Sequence, residues 1–182
     1  MRASTWPKMV YTRPTMPHCK FSFAFVAAVL CGAAAFGQSP TCDDTLWNHV
    51  YNLSRLVVQE QCVTVTGTMV DSTINEKIHH KDGVRHEEDG DTHGWLKLDP
   101  GQEKFVNDVN NQAEQGNLIF EIVCKYPVTQ ADAKAACQAF KNTVKLPPVG
   151  SHVAITGSWV KDMDHNGWLE IHPVTSIVVI QE

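Results

Sequence analysis

The sequence of 182 residues lacks the short motifs that mark several common kinds of enzyme. It contains no Gly-x-Ser-x-Gly turn, no phosphate-binding P-loop and no cysteine and histidine arrangement of a thiol nucleophile. It also has no Cys-x-x-Cys pair, which argues against zinc held by thiolates. The longest apolar run covers residues 21–36, and it is shorter than the roughly 20 residues that cross a bilayer. These absences disfavour a P-loop enzyme, a serine or cysteine hydrolase and a membrane-spanning helix.

The first 37 residues form a segment distinct from the rest of the sequence. Residues 21–36 are apolar or small, and Ala35-Phe36-Gly37 matches the small-x-small pattern of a cleavage site. The basic residues before this run are Arg2, Lys8, Arg13 and Lys20. The pattern predicts a secretory signal peptide at residues 1–37 and a secreted or periplasmic protein without a membrane span after cleavage. A membrane anchor is the alternative, which the short run disfavours.

Removal of this leader makes the remaining chain strongly acidic. The leader holds four of the 15 basic residues and none of the 20 acidic ones, so 11 basic and 20 acidic residues remain, a net charge of −9. A surplus of this size repels phosphate backbones and anionic lipid surfaces. The composition therefore argues against nucleic acid as a partner.

Four cysteines follow the leader, at Cys42, Cys62, Cys124 and Cys137. An even number in an exported chain predicts two disulfides. Of the three pairings that are open, Cys42–Cys62 with Cys124–Cys137 closes the shortest loops. Structural zinc on these thiols is the alternative interpretation.

Alternation of apolar and polar residues predicts five β-strands. They cover residues 62–71, 92–98, 118–124, 152–160 and 168–179. A short helix is predicted in an N-terminal lead-in at residues 38–61, and a second helix is predicted to begin at Thr129, between the third and fourth strands. The Asn-rich residues 107–117 are predicted to be irregular, with one helical turn.

This order of elements predicts a mainly β protein, a five-stranded OB-fold-like Greek-key barrel over residues 62–182. Gly67 and Gly157 lie inside the first and fourth strands, where a small closed barrel needs a bend or a bulge. An immunoglobulin-like sandwich is the weaker alternative, because it needs about seven strands and no intervening helix.

Several segments resemble a family of exported bacterial OB-fold-like proteins. They are CVTVTGTMVDST, DGDTHGWLKLD, FEIVC with PVTQADAKAAC, PPVGSHVAITG and DHNGWLEIHPV, which together extend from about residue 43 to residue 180. The most specific pieces are Asp89-Gly90-Asp91-Thr92-His93 and Glu170-Ile171-His172-Pro173. The resemblance implies export and an OB-like barrel, and it implies no particular activity.

The same alternation predicts a polar row on the outer face of the second, third and fifth strands. The residues predicted to bind a ligand there are His93, Trp95, Lys97, Glu121, Trp168, Glu170 and His172. Within this row, two imidazoles and a carboxylate (His93, Glu121 and His172) suit a zinc-type ion. The alternative is a polar face whose histidines hydrogen-bond across strands. Residues 72–91 and 107–117 are predicted to border a shallow pocket over this row.

A second metal pattern lies between the last two strands. Asp162-x-Asp164-x-Asn166-Gly167 copies the first half of a calcium loop, but the twelfth position is Pro173 and not the bidentate glutamate. The pattern therefore favours a polar hairpin turn over a calcium loop. Asn166-Gly167 is a strong signal for such a turn.

These observations favour an exported, non-enzymatic OB-fold module that binds a small or extended ligand, or a protein partner, on its outer sheet face. The alternative is a metal-dependent, zinc-type hydrolase that uses His93, Glu121 and His172. No cofactor is required by the first hypothesis, whereas zinc or calcium belongs to the metal hypotheses.

Overall fold

The structure is a computed structural model that describes residues 40–74 and 77–181. The predicted signal peptide at residues 1–37 lies outside the described residues. Within the described part, no helix has both the length and the apolar character needed to cross a membrane.

The described chain contains six strands and little helix. The strands are β1 (Leu56–Val70), β2 (Arg85–His86), β3 (Thr92–Leu98), β4 (Leu118–Phe120), β5 (His152–Asp162) and β6 (Trp168–Val179). The helices are the α-helix α1 (Asp108–Ala113) and three 3-10 helices at Asp44–His49, Leu53–Arg55 and Glu103–Phe105. The protein is therefore mainly β, as predicted.

Five of these strands close into a barrel. The sheet order is β1-β5-β6-β4-β3, and β3 pairs again with β1. β4 and β6 run parallel, whereas the other pairs of the barrel are antiparallel. The short β2 pairs only with the start of β3. This connectivity is that of a five-stranded Greek-key OB-like barrel, and the predicted fold class is confirmed.

Two glycines are required where strands approach closely. Gly67 pairs with Leu98 of β3 and with Val153 of β5, so it lies where β1 contacts both neighbours. A Cβ atom there would lie 2.3 Å from the carbonyl oxygen of Lys97, and one at Gly157 would lie 2.5 Å from that of Pro173. Both distances are too short for a side chain, so these positions need glycine.

Two apolar clusters stabilise the fold. The barrel interior contains mainly branched aliphatic residues with Phe120, and its members include Val65, Met69, Leu96, Leu118, Ile155 and Ile171. A smaller cluster outside the barrel joins the N-terminal segment to the end of β4. Its buried members are Leu46, Val50, Val123 and Cys124. The second cluster holds the N-terminal segment over the outer face of the sheet.

The predicted helix after the third strand is wrong. Residues 131–139 form consecutive turns and not a helix. The Thr129 and Gln130 amides donate to the Glu88 carbonyl, the Asn142 amide donates to the Cys124 carbonyl, and Cys137 is disulfide-bonded to Cys124. These long-range contacts at both ends hold the segment against the barrel and override its local helix propensity. The helical turn predicted within residues 107–117 is present as α1, where the Asn107 side chain caps the first turn.

Two strand boundaries also differ from the predictions. β1 begins at Leu56, inside the predicted helical lead-in, because residues 56–61 pair with β5 through irregular register shifts. β4 ends at Phe120 and not at residue 124. The amide of Ile122 donates to Thr92 Oγ1 and the amide of Cys124 donates to Asp91 Oδ1, each at 2.7 Å. Side chains thus replace the backbone partners that would have continued the ladder.

Both predicted disulfides are present, with the sequential pairing. Cys42 is bonded to Cys62 and Cys124 to Cys137, with Cα–Cα distances of 5.7 and 5.4 Å. The first ties the N-terminal segment to β1, and the second ties the turns around Cys137 to Cys124, in the chain that follows β4.

Candidate functional site

The predicted polar row exists on the outer side of the barrel, but it is covered. Leu96, Leu118 and Ile171 point into the barrel, so the residues that alternate with them point outward. His93 is 2% exposed, Glu121 5%, and Glu170 and His172 0%. These four side chains are therefore withdrawn from solvent. Arg55 and the residues between β2 and β3 lie over them. We use the name buried charged layer for seven residues together: His93, Glu121, Glu170, His172, Arg55, Asp91 and Asp162.

Glu121 is the centre of this layer. Its carboxylate lies 2.8 Å from His172 Nδ1 through Oε2, and 3.4 Å from His93 Nδ1 through Oε1. Its backbone is fixed between two positions of β6, because the amide donates to the Ile171 carbonyl and the carbonyl accepts from the Val174 amide, each at 2.9 Å. The structure thus brings His93, Glu121 and His172 together, as the strand alternation predicted.

Glu170 extends the layer along β6. Its Oε1 lies 3.1 Å from His172 Nδ1, and its Oε2 accepts a hydrogen bond of 2.7 Å from Trp168 Nε1. Trp168, Glu170 and His172 therefore form one connected row on the strand, in which Trp168 fixes the orientation of the carboxylate.

Three charged residues in or beside the layer were not predicted, and they are Arg55, Asp91 and Glu114. Arg55 Nη1 lies 3.2 Å from Asp162 Oδ2, and Arg55 Nη2 lies 3.7 Å from Glu121 Oε2. Asp91 Oδ2 lies 3.6 Å from His172 Nε2, and Glu114 Oε2 lies 3.9 Å from His93 Nε2. Asp91 belongs to the specific DGDTH segment, which was a usable signal. The path of the N-terminal segment that delivers Arg55 left no signal in the sequence.

Burial and ion pairing act against each other on the two histidines. Burial alone would lower the pKa of His93, but the carboxylates of Glu114 and Glu121 raise it to about 9. Burial also opposes the charged form of His172, yet Glu121 and then Glu170 raise its pKa to about 10. Both imidazoles therefore favour the protonated form at neutral pH.

The carboxylates of the layer have pKa values shifted in opposite directions. Burial would raise the pKa of Glu121, but His172 and His93 hold it well below its ordinary value. Burial raises the pKa of Asp91 well above its ordinary value, against the opposing effect of His172. Burial also raises the pKa of Glu170, and the charge of Glu121 raises it further. Glu121 is thus the ionised carboxylate between the two imidazoles.

A cleft of about 370 Å³ opens above this layer. We call it the acidic cleft, because Glu87, Glu88, Asp89 and Asp164 line it. Its other lining residues include Tyr51, Arg55, Arg85, His93, Glu121, Gln130, His165 and Trp168. The ring of His165 stacks on that of Trp168, with centroids 4.1 Å apart. The cleft therefore combines carboxylates at its entrance with the charged layer beneath.

Comparison with protein-family models, with curated proteins and with solved structures finds no match. The resemblance to exported OB-fold-like proteins thus stays a prediction. Interpretation of the site rests on its own geometry.

Trp95 and Lys97 do not line the acidic cleft. They line a second cleft of about 640 Å³ together with Val70, Leu98 and Glu103. Trp95 still contacts the layer, because its Nε1 lies 3.3 Å from His93 Nε2. The predicted pocket containing both His93 and Trp95 is therefore divided into two clefts. Of the two predicted border loops, residues 87–89 line the acidic cleft and residues 115–117 line the other.

Three groups of described residues place candidate metal ligands within reach of one ion. They are His80 with Asp82 and His86, Asp91 with Cys124 and Cys137, and Asp91 with Glu121 and His172. The second group uses the sulfur atoms of a disulfide, which are poor ligands. The third contains two residues of the predicted zinc set, with Asp91 in place of His93.

The predicted calcium pattern forms a hairpin turn. Asp162 is buried, and its Oδ2 contacts Arg55 and His165 Nδ1, the latter at 2.9 Å. Its Oδ1 accepts from the Asp164 amide at 2.8 Å, and the Gly167 amide closes the turn on the Asp162 carbonyl. Both oxygens of this carboxylate are thus engaged by the protein.

Proposed function

We propose that this chain is an exported, non-enzymatic binding module whose acidic cleft takes a small, polar, cationic ligand such as an amine. The observation that carries the proposal is that four carboxylates of the cleft form no ion pair within the part of the chain that the structure describes. Among the described residues, no ion pair involves Glu87, Glu88, Asp89 or Asp164.

Two of these carboxylates are partly withdrawn from water. Burial raises the pKa of Glu87 and that of Asp89, and this effect exceeds the opposing charge of His93 on Glu87 and that of His172 on Asp89. A negative group that is desolvated without a partner costs free energy, and a cation bound next to it lowers that cost. The cleft therefore favours a ligand of positive charge.

The two arginines in the cleft do not reverse this preference, since each has a carboxylate nearby, and Arg85 Nη2 lies 3.9 Å from Glu114 Oε2. Arg55 lies between Asp162 and Glu121, which already compensate its charge. Burial would lower the pKa of Arg55, but Glu121 and Asp162 raise it, which reflects the same pairing. An anionic ligand would have to compete with two buried carboxylates for this side chain. The stacked rings of His165 and Trp168 offer a cation an aromatic surface instead.

Binding is favoured over hydrolysis by the state of the histidines. A general base at neutral pH must be unprotonated, whereas Glu114 and Glu121 raise the pKa of His93 to about 9 against the effect of burial. His172 is fully buried, so it has no access to a substrate in the cleft. The layer thus supports the cleft, and its one imidazole that lines the cleft, His93, favours the protonated form and not that of a base.

Isothermal titration calorimetry with spermidine at physiological ionic strength tests this function. We expect saturable 1:1 binding with a Kd below about 1 mM, and no binding of the dianion glutarate. The double variant E88Q/D164N should weaken spermidine binding by about tenfold, which corresponds to roughly 1.4 kcal/mol. The control variant E103Q removes a charge from the other cleft. Absence of spermidine binding, or equal affinities of E88Q/D164N and E103Q, would contradict the proposal.

A further inference from the structure

The second cleft, which Trp95 and Lys97 line, lies over β1 and β3 and has an apolar floor. Its volume of about 640 Å³ is usual for a small-molecule site, for which the range is about 300–1,000 Å³. We call it the Trp95 cleft. Its apolar residues are half-buried or exposed, and they are Val70, Ile74, Trp95, Leu98, Pro100 and Val106. A concave apolar floor of this kind favours a ligand that has an apolar face.

Trp95 is placed to contact such a face. It pairs with Val70 of β1 and with Ile119 of β4, so it lies within the sheet and not at an edge. Its Nε1 lies 3.3 Å from His93 Nε2, so the polar edge of the indole ring is directed toward the buried charged layer. An aromatic ring that is held in this way and lines a cleft attracts the C–H groups of a ligand.

Hydrogen-bonding groups of both kinds surround this floor. The Lys97 ammonium makes no hydrogen bond or ion pair within the part of the chain that the structure describes. Asp99 uses Oδ2 for its hydrogen bonds with Thr66 Oγ1 and His152 Nε2, which leaves Oδ1 as an acceptor. Asn117 donates to a backbone carbonyl through Nδ2, which leaves its own Oδ1 as an acceptor. The cleft therefore offers a donor and acceptors around an apolar centre.

The charges of the Trp95 cleft are more balanced than those of the acidic cleft. Asp71 Oδ2 lies 2.6 Å from His79 Nε2, and Asp99 Oδ2 lies 2.8 Å from His152 Nε2. The ammonium of Lys97 lines the same cleft, and it opposes a cationic ligand. The cleft therefore lacks the strong preference for cations that we propose for the acidic cleft.

Anionic ligands are disfavoured as well. A hydrogen bond from Thr66 lowers the pKa of Asp99. A hydrogen bond from the Gly101 amide lowers the pKa of Glu103, which also lines the cleft. Both carboxyls are therefore ionised at neutral pH and repel a negative group. A hydroxyl group both donates and accepts, so it can pair with the Lys97 ammonium and with a carboxylate.

The walls of the cleft are fixed by hydrogen bonds within the chain. Gln102 accepts from the Thr66 amide at 3.1 Å and donates to Thr66 Oγ1 at 2.6 Å, which ties the segment after β3 to β1. Asn110 Nδ2 donates to the carbonyls of Asn117 and Leu169 at 3.2 and 2.8 Å, which ties residues 115–117 to β6. A site that is formed in advance loses little conformational entropy when a ligand binds.

We propose that the Trp95 cleft binds a short, neutral oligosaccharide, with one sugar ring stacked on Trp95 and its hydroxyl groups paired with Lys97 and Asp99. Sugar rings carry hydroxyl groups at their edges and C–H groups on their faces, which matches an apolar floor with polar groups around it. β-Linked glucose-type sugars match it best, because their substituents are equatorial and leave both faces flat. The site is separate from the acidic cleft and independent of the ligand proposed there.

Isothermal titration calorimetry of the full chain with cellotriose and with chitotriose tests this site. We expect saturable binding of at least one trisaccharide with a Kd below about 1 mM. W95A should weaken binding by about tenfold or more, provided that it still melts cooperatively. K97M keeps the aliphatic stem and removes an exposed ammonium, so it should fold normally and weaken binding by about threefold. No binding of either trisaccharide, parental affinity in a folded W95A, or parental affinity in K97M would each overturn the proposal.

The acidic-cleft variant E88Q/D164N provides the matched control, and it should bind the trisaccharide with parental affinity. Amide chemical-shift mapping adds the location. The trisaccharide should shift Trp95, Lys97 and residues 115–117, whereas residues 87–89 should shift little. Loss of sugar affinity in E88Q/D164N, or shifts centred on residues 87–89, would assign the sugar to the acidic cleft and overturn the proposal.

Discussion

At the scale of single residues, Glu121 determines the character of the buried layer. A carboxylate that is almost wholly buried is costly unless it is paired, and Glu121 contacts His172, His93 and Arg55. Removal of one partner from such a group costs several kcal/mol, because the remaining charges stay buried. The layer therefore acts as a unit, and its residues cannot be assigned separate roles by single substitutions.

His165 lies at the edge of this unit, where it contacts Asp162, and its titration should be measurable there. Its Nδ1 lies 2.9 Å from Asp162 Oδ2, and this hydrogen bond raises the pKa of His165 despite partial burial. Its stabilising contribution is therefore full below pH 6.5, the value for the unfolded chain, and is lost as the pH rises through the higher folded value. Because the ring is about half exposed, the contribution should be only about 0.5 kcal/mol.

Urea unfolding of the parent and of H165N at pH 5.5 and pH 9 tests this direction. The free-energy difference between the two proteins should be larger at pH 5.5 than at pH 9. The control variant H80N removes an imidazole that makes no ion pair in the part of the chain that the structure describes. A difference for H165N that grows toward pH 9 would contradict the assignment.

At the scale of elements, the turns after β4 depend on the Cys124–Cys137 disulfide. They also hold the residues before β3 in place, since the Glu88 carbonyl accepts from Thr129 and Gln130. The bond closes a loop with a sequence separation of 13 residues, for which a stabilisation of about 3 kcal/mol is expected.

The double variant C124A/C137A should therefore lower the free energy of unfolding by about 2–3 kcal/mol. It should also speed hydrogen exchange at the amides of Thr129 and Gln130, because the segment that carries them loses its covalent anchor. Denaturant unfolding and exchange mass spectrometry measure the two effects. Unchanged exchange at these amides would show that the turns are held by packing alone.

The same elements show how far the sequence alone predicts the site. Alternation along β3 and β6 correctly placed His93 and His172 on one side of the barrel, because a strand has only two faces. The predicted helix after residue 129 was wrong, since long-range hydrogen bonds and a disulfide decide its conformation. The burial of the row was missed because it depends on Arg55 and the cluster around Leu46, which reach the sheet only in three dimensions.

At the scale of the whole molecule, a closed OB-like barrel carries a charged layer on its outside. The layer includes Asp91 and Glu121, and it lies under the acidic cleft. The barrel needs none of these charges for its interior, which is apolar. Charges that are buried outside the core are expensive, and they are retained most readily where they support a site. We therefore propose that the acidic cleft above the layer binds cations.

The most direct measurement is the mapping of amide chemical shifts in the full protein during titration with spermidine. We predict that the largest shifts occur at residues 87–89 and at His165 and Trp168, which line the acidic cleft. Trp95 and Lys97, which line the other cleft, should shift little. Shifts centred on Trp95 and Lys97, or spread over the surface without saturation, would contradict the account.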